Sequence, residues 1–259
     1  MLPLGWTTDL AVLRYMGSTI EDRGDHLVVR TPRNPDFHWG NCIFVTDPDA
    51  VDDADRWVET FHLAVPGVDW VTVGVARMPS DVAAWARLGL ELGFDEVLAT
   101  LTMPRQTVRP EGYEVRALAG EDWTQLVARA MAENERTGAH DPASYGRFAR
   151  ARADAQRDLV ARGLAQFVGA FCEGRLVGDL GIVDCAGTAR YQAVGTAAEH
   201  RARGIASHLL GVAGAWAATR GCTQWVIVTE AANPAGRVYR RAGFELAAPS
   251  VQAYLEPRP

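Results

Sequence analysis

The run Arg201-Ala202-Arg203-Gly204-Ile205-Ala206 supplies the two things a bound anion needs, cationic side chains and a backbone open to close approach. It lies between the apolar segment Tyr191–Thr196 and the helical pattern Ser207–Arg220. A turn of this kind, feeding directly into a helix, aims successive backbone N–H groups at one point. The helix adds the partial positive charge of its N-terminus. Gly204 removes a Cβ from the approach, Ala206 keeps the first turn slim, and Arg201 and Arg203 put formal charge on the rim. Phosphate is the expected guest.

Downstream come a strand pattern at Gln224–Thr229, then Asn233-Pro234-Ala235 opening a short helix, then Val238-Tyr239-Arg240-Arg241-Ala242-Gly243-Phe244. With these residues the chain resembles the GNAT N-acetyltransferases over roughly residues 113 to 256. That family carries an Arg/Gln-x-x-Gly-x-Gly/Ala loop, a strand, and an Asn-led helix with a Tyr shortly before Gly-Phe. The resemblance implies that Arg201, Ala202, Arg203, Gly204, Ile205, Ala206 and Ser207 hold the pyrophosphate of acetyl-CoA. It also implies that Ala193, Val194 and Thr196 wall the pantetheine arm through their backbone groups. Tyr239 is the implied general acid, its competing reading being an aromatic that packs the helix on the sheet. Asn233 contacts the cofactor or simply caps its helix, since it stands one residue closer to Tyr239 than is usual in the family.

The general base is less legible. Counting back from Arg201 puts Arg190 where histone-type relatives have a Glu, and arginine accepts no proton. The replacement candidates are Asp179, a carboxylate inside an apolar strand pattern, and Glu230 at the end of the strand Gln224–Thr229. Tyr191 and Gln192 are candidates to line the acceptor pocket. The implied reaction is acetyl transfer to a primary amine, probed against one alternative, a non-catalytic acyl-CoA-binding or regulatory protein that has kept the loop and lost the base. A dinucleotide-binding enzyme is disfavoured, because the Gly-x-Gly-x-x-Gly turn and its acidic ribose partner are missing.

These groups need a scaffold, and 259 residues suffice for two medium cores. Tyr113–Leu118, Gln166–Cys172, Leu176–Asp184 and Ala189–Thr196 read as strands. Helices are expected from Gly120 and from Asp141-Pro142. The N-terminal half repeats the order, with strands at His26–Arg30, Asn41–Thr46, Trp70–Val75 and Glu96–Thr102 and helices at Ala54–Leu63 and Asp81–Leu92. Leu92-Gly93-Phe94 echoes Ala242-Gly243-Phe244. Where the second half has its cationic loop, however, the first has Asp47-Pro48-Asp49-Ala50-Val51-Asp52-Asp53-Ala54-Asp55, which would repel a pyrophosphate and whose acids can cap the next helix. The expected fold class is therefore α/β (α+β) with two GNAT-like domains, each a mixed, mostly antiparallel sheet flanked by helices. Residues 1–104 form the degenerate half, 105–112 a linker, and 113–259 the half that binds acetyl-CoA.

Composition narrows the partners. A net charge of −6 disfavours nucleic acid and leans towards a small cationic amine as acceptor. All 26 basic residues are Arg, so the chain offers no lysine of its own for acetylation. Cys42, Cys172, Cys185 and Cys222 lack metal or disulfide spacing, and His200 and His208 are too far apart for a helical metal pair, so no metal is expected. No apolar run is long enough to span a bilayer, and Met1–Leu13 lacks a leader pattern. The expectation is a cytoplasmic monomer or homodimer that binds no membrane. His38-Trp39-Gly40-Asn41 is read either as a cover for the acceptor site or as a turn with a packed Trp.

Overall fold

The computed structural model describes residues 2–257, which divide into two compact units. The first takes residues up to Val97 together with Ala248 onwards, and the second runs from Leu98 to Ala247. The boundaries differ from those read in the sequence at two places. The chain changes unit before the proline-rich segment 105–112, and the described residues from Ala248 to Pro257 return to the first unit, where Val251–Leu255 pair antiparallel with Val71–Val75.

The first unit begins with elements the sequence pattern did not disclose, helix α1 (Leu4–Tyr15) and strand β1 (Thr19–Asp22). There follow β2 (His26–Arg30), β3 (Cys42–Val45), α2 (Ala54–Ala64), β4 (Val71–Val75), α3 (Val82–Arg87) and β5 (Glu91–Thr100), whose end crosses into the second unit. β1, β2 and β3 are antiparallel neighbours, and β3 pairs parallel with β4. The acidic run has ordinary structural duties. Asp47 and Asp53 cap helical turns, Asp52 pairs with Arg77, and Asp55 pairs with Arg87. The echo at Gly93-Phe94 is displaced: α3 stops at Arg87, Gly89 makes the turn at φ +84°, and Gly93 and Phe94 lie inside β5. His38 stacks on Trp70 at 4.1 Å and its Nδ1 meets the Tyr254 hydroxyl at 2.8 Å, while Trp39 packs edge-on against Phe44. The cluster is a packed aromatic turn of the first unit.

The second unit holds β6 (Glu114–Ala117), α4 (Asp122–Thr137), α5 (Pro142–Ala161), β7 (Ala165–Cys172), β8 (Arg175–Cys185), β9 (Thr188–Thr196), α6 (Ile205–Thr219), β10 (Gln224–Glu230), α7 (Ala235–Arg241) and the start of β11 (Glu245–Leu255). β6 to β9 form an antiparallel meander, and β10 adds in parallel beside β9. Alternate strand residues face opposite layers. Leu180 joins Leu209 of α6 in the core, whereas its neighbour Asp179 ion-pairs with Arg129 of α4. Trp123 of α4 likewise meets Phe167 of β7 at 5.6 Å. Asp141 accepts from the Ser144 N–H at 2.8 Å with Pro142 in the first turn, which starts α5 where the sequence put it.

Residues 104–112 are a strap on the second unit rather than a free linker. Arg105 N–H donates to the Ala242 carbonyl at 3.0 Å, and the Thr107 carbonyl meets His208 Nδ1 of α6 at 2.7 Å. A Cβ on Gly211 of α6 would stand 2.9 Å from Gln106 Cα, so the strap touches the helix backbone itself. Prolines remove N–H donors and stiffen the chain, and here that stiffness serves docking.

Candidate active site

The loop before α6 is an anion cradle in its backbone geometry. Ala202 has φ +59° and Gly204 φ +80°, so left-handed residues alternate with ordinary ones. That alternation turns successive N–H groups to one side, as in anion-binding nests. The first helical bond of α6 is His208 N–H to the Gly204 carbonyl at 3.0 Å. Among the described residues, the N–H groups of Ala202 through Ser207 meet no protein acceptor. A Cβ on Gly204 would find only Pro110 Cγ within contact range, at 3.8 Å, so it is the backbone conformation that calls for glycine here.

The two arginines of the loop are already held. Arg201 donates from Nε to the Thr196 carbonyl at 3.0 Å and pairs with Glu133 of α4 at 2.7 Å. Arg136 and, after it, Arg201 hold the Glu133 carboxyl down to about 2, well below the usual range. Arg203 donates to the Glu199 carbonyl at 3.1 Å and to the Tyr113 hydroxyl at 3.4 Å, which also meets His200 Nδ1 at 2.9 Å. Nothing in the sequence linked Glu133 or Tyr113 to the loop, because both contacts close over long stretches of chain.

β9 and β10 part company beside this loop. Their register covers Thr188–Arg190 against Gln224–Val226, and beyond it the two strands share no ladder. β9 also carries a bulge: opposite Asp179 and Gly181 stand Gly195 and Gln192, and Ala193, at φ +51°, lies between them with Val194. Ala193 and Val194 therefore have no register partner on β8, and the ladder to β10 has already ended at Arg190, which suits an extended chain lying along their backbone. The Thr196 carbonyl is taken by Arg201.

Tyr239 of α7 is 4% exposed, and burial pushes its phenol up to about 12. Its hydroxyl makes no hydrogen bond to another described residue. By contrast, Tyr191 does not reach an acceptor pocket. Its hydroxyl donates to the Leu210 carbonyl at 2.7 Å and its ring meets Phe244 at 5.8 Å, so it belongs to the core under α6. The alternation of strand faces explains the difference, since Tyr191 and Gln192 lie on opposite faces of β9 and Gln192 stays half-buried while Tyr191 is in the core. Asn233 accepts from the Ala235 N–H at 3.0 Å, the capping arrangement, and is exposed.

The two carboxylates part as well. Asp179 is 1% exposed and ion-paired with Arg129; burial raises its carboxyl against the pull of Arg129 and Arg152. A carboxylate enclosed in that way positions the guanidinium and is no free proton acceptor. Glu230 is exposed at the end of β10, on the side where that strand has left β9. Arg190, in the position where a base was sought, is 6% exposed, with Val183 and Val226 across from it. No group of His, Cys, Asp and Glu among the described residues could hold a metal.

Comparison with known proteins agrees with this geometry. Residues 163–246 match the family model described as acetyltransferase (GNAT) domain, a span that runs from β7 through the loop to the start of β11. No curated protein matches. The fold is shared with a protein of unknown function from Staphylococcus epidermidis (TM-score 0.67, 15% identity, 94% of this chain and 96% of that one). It is shared too with a GCN5-related N-acetyltransferase from Kribbella flavida (TM-score 0.63, 15% identity, 99% and 98%). A tandem GNAT protein from the clavulanic acid biosynthesis pathway also matches, with TM-score 0.58 and 16% identity over 98% of this chain and 88% of that one. The cradle, the parted strands and the family match fall on one stretch of sequence, so it is this part of the chain, residues 163–246, that matches the GNAT acetyltransferase domain.

Proposed function

We propose that this protein is an N-acetyltransferase that moves an acetyl group from acetyl-CoA to the primary amine of a small molecule, by direct attack in a ternary complex. The observation that carries the reading is the run of N–H groups from Ala202 to Ser207 without protein acceptors, beside the gap between β9 and β10. The residues fit acetyl-CoA. The N–H groups of 202–207 would hold its diphosphate, and the bulged backbone at Ala193 and Val194 would align its pantetheine arm. Bound there, acetyl-CoA supplies an acetyl group activated as a thioester. Glu230 takes the proton that the amine nitrogen loses on attack, directly or through water, and Tyr239 protonates the departing thiolate sulfur. A phenol that titrates near 12 stays protonated at neutral pH and is ready to donate. The expected compartment is the cytoplasm; no helix among the described residues is long and apolar enough to cross a membrane.

One observation favours a second reading, a non-catalytic acyl-CoA-binding protein: Arg190 occupies the strand position at which a catalytic carboxylate was sought. Incubation with acetyl-CoA and a panel of amines, read by thiol release, separates the two. Tight acetyl-CoA binding without thiol release from any amine supports the second reading. The absence of acetyl-CoA binding refutes both.

A further inference from the structure

Two charged side chains meet on the α4 side of the sheet, next to the β9 bulge, and the charge of a third acts on them from α5. Asp179 of β8 is ion-paired with Arg129 of α4, and Asp179 stands across from Gly195 in the β8–β9 register. A Cβ on Gly195 would lie 2.6 Å from a terminal nitrogen of Arg129, so glycine is what lets the guanidinium lie flat on the bulged strand. Arg152 of α5 is the third member. Its charge acts on both Asp179 and Arg129, and it lies over the Phe148 ring at 4.9 Å.

The charges do not balance. Two guanidinium groups face one carboxylate, in a protein whose net charge is −6. Arg129 Nε is buried without an acceptor, and Arg152 makes no hydrogen bond or ion pair with any described residue. Burial makes the charged form of Arg152 costly. Glu133, one turn along α4 from Arg129, offers no relief, because Arg136 and Arg201 hold it. A half-buried guanidinium stacked on an aromatic ring keeps its in-plane N–H fork free for a planar, two-oxygen anion.

The geometry points to Arg152, seated by the Arg129–Asp179 pair, as the residue that binds a carboxylate on the acceptor, which makes the acceptor an amino acid or a similar amine bearing a carboxylate. This rests on the acetyltransferase reading and reverses the lean towards a cationic amine drawn from net charge. Global charge reports the average surface, whereas the acceptor meets only the groups beside β9.

The test is a calorimetric titration of the full chain, first with CoA and then, on the CoA-saturated protein, with the proteinogenic α-amino acids and their α-carboxamides. At least one acid is expected to bind about tenfold more tightly than its amide, with that ratio falling towards one in Arg152→Gln and partly kept in Arg152→Lys. CoA binding by each variant reports that it has folded. Equal binding of acids and amides, binding of no acid at all, or a ratio untouched in Arg152→Gln would overturn the inference. A protein that fails to bind CoA refutes the acetyltransferase reading itself, whereas one that binds CoA and treats acids and amides alike refutes only the carboxylate assignment.

Discussion

Gly204 allows the cradle to be tested with two substitutions that share one cost and differ in another. At φ +80°, any L-residue carries a backbone penalty of about 1–2 kcal/mol. The new Cβ itself meets nothing closer than Pro110 Cγ at 3.8 Å, so Gly204→Ala should lose about that much stability and no more. Gly204→Glu carries the same backbone penalty and adds a negative charge at the mouth of the nest. With a bound phosphate about 5 Å away and an effective dielectric between about 20 and 80, the repulsion is about 0.8–3.3 kcal/mol per phosphate charge. That corresponds to a Kd for CoA between about 4 and 250 times weaker than in Gly204→Ala. The comparison is made by calorimetry at low and high salt, since the exposed loop lets ions screen the effect and the gap should narrow as salt rises. Equal CoA affinity in the two variants at low salt would refute the assignment of this loop as the phosphate site.

Tyr239→Phe should reduce kcat by about a hundredfold or more while leaving CoA affinity near that of the wild type; a parallel loss of binding would instead mark the phenol as packing. Asp179→Ala strands Arg129, whose side chain is 16% exposed, and should cost about 3–5 kcal/mol in a denaturant melt, a loss below about 1 kcal/mol being incompatible with a buried pair. Arg136 and Arg201 hold Glu133 at about 2, below the ordinary glutamate value of about 4.5, so its ionised form favours the folded state above that ordinary value. The contribution is lost as pH falls from about 4.5 to about 2. Glu133→Gln should therefore flatten the acid limb of the stability–pH curve across that window, and an unchanged limb would count against the pairing. Gly211→Ala would push a Cβ into strap backbone at 2.9 Å and should destabilise the protein by about 1–3 kcal/mol, whereas a neutral outcome would mean that the strap is loosely held.

Local chemistry is what the sequence could declare by itself. The loop from Arg201 to Ser207, the strand and helix periods of the second half, the Asp141-Pro142 start of α5 and the repeated order of elements are all written within short windows, where propensity, capping and glycine act on near neighbours. Where a local signal was ambiguous, the reading failed in a physically definite way. Tyr191 turned to the core because strand faces alternate, and Gly93-Phe94 fell inside β5 because Gly89 had already made the turn. The tertiary structure alone decided which charges meet. Asp179 became the partner of Arg129, Arg201 was claimed by Glu133, Tyr113 reached Arg203, and residues 105–112 became a strap on α6. Those contacts join residues tens of positions apart, and no period or motif in a chain encodes which distant side chains its folding will bring to the same strand.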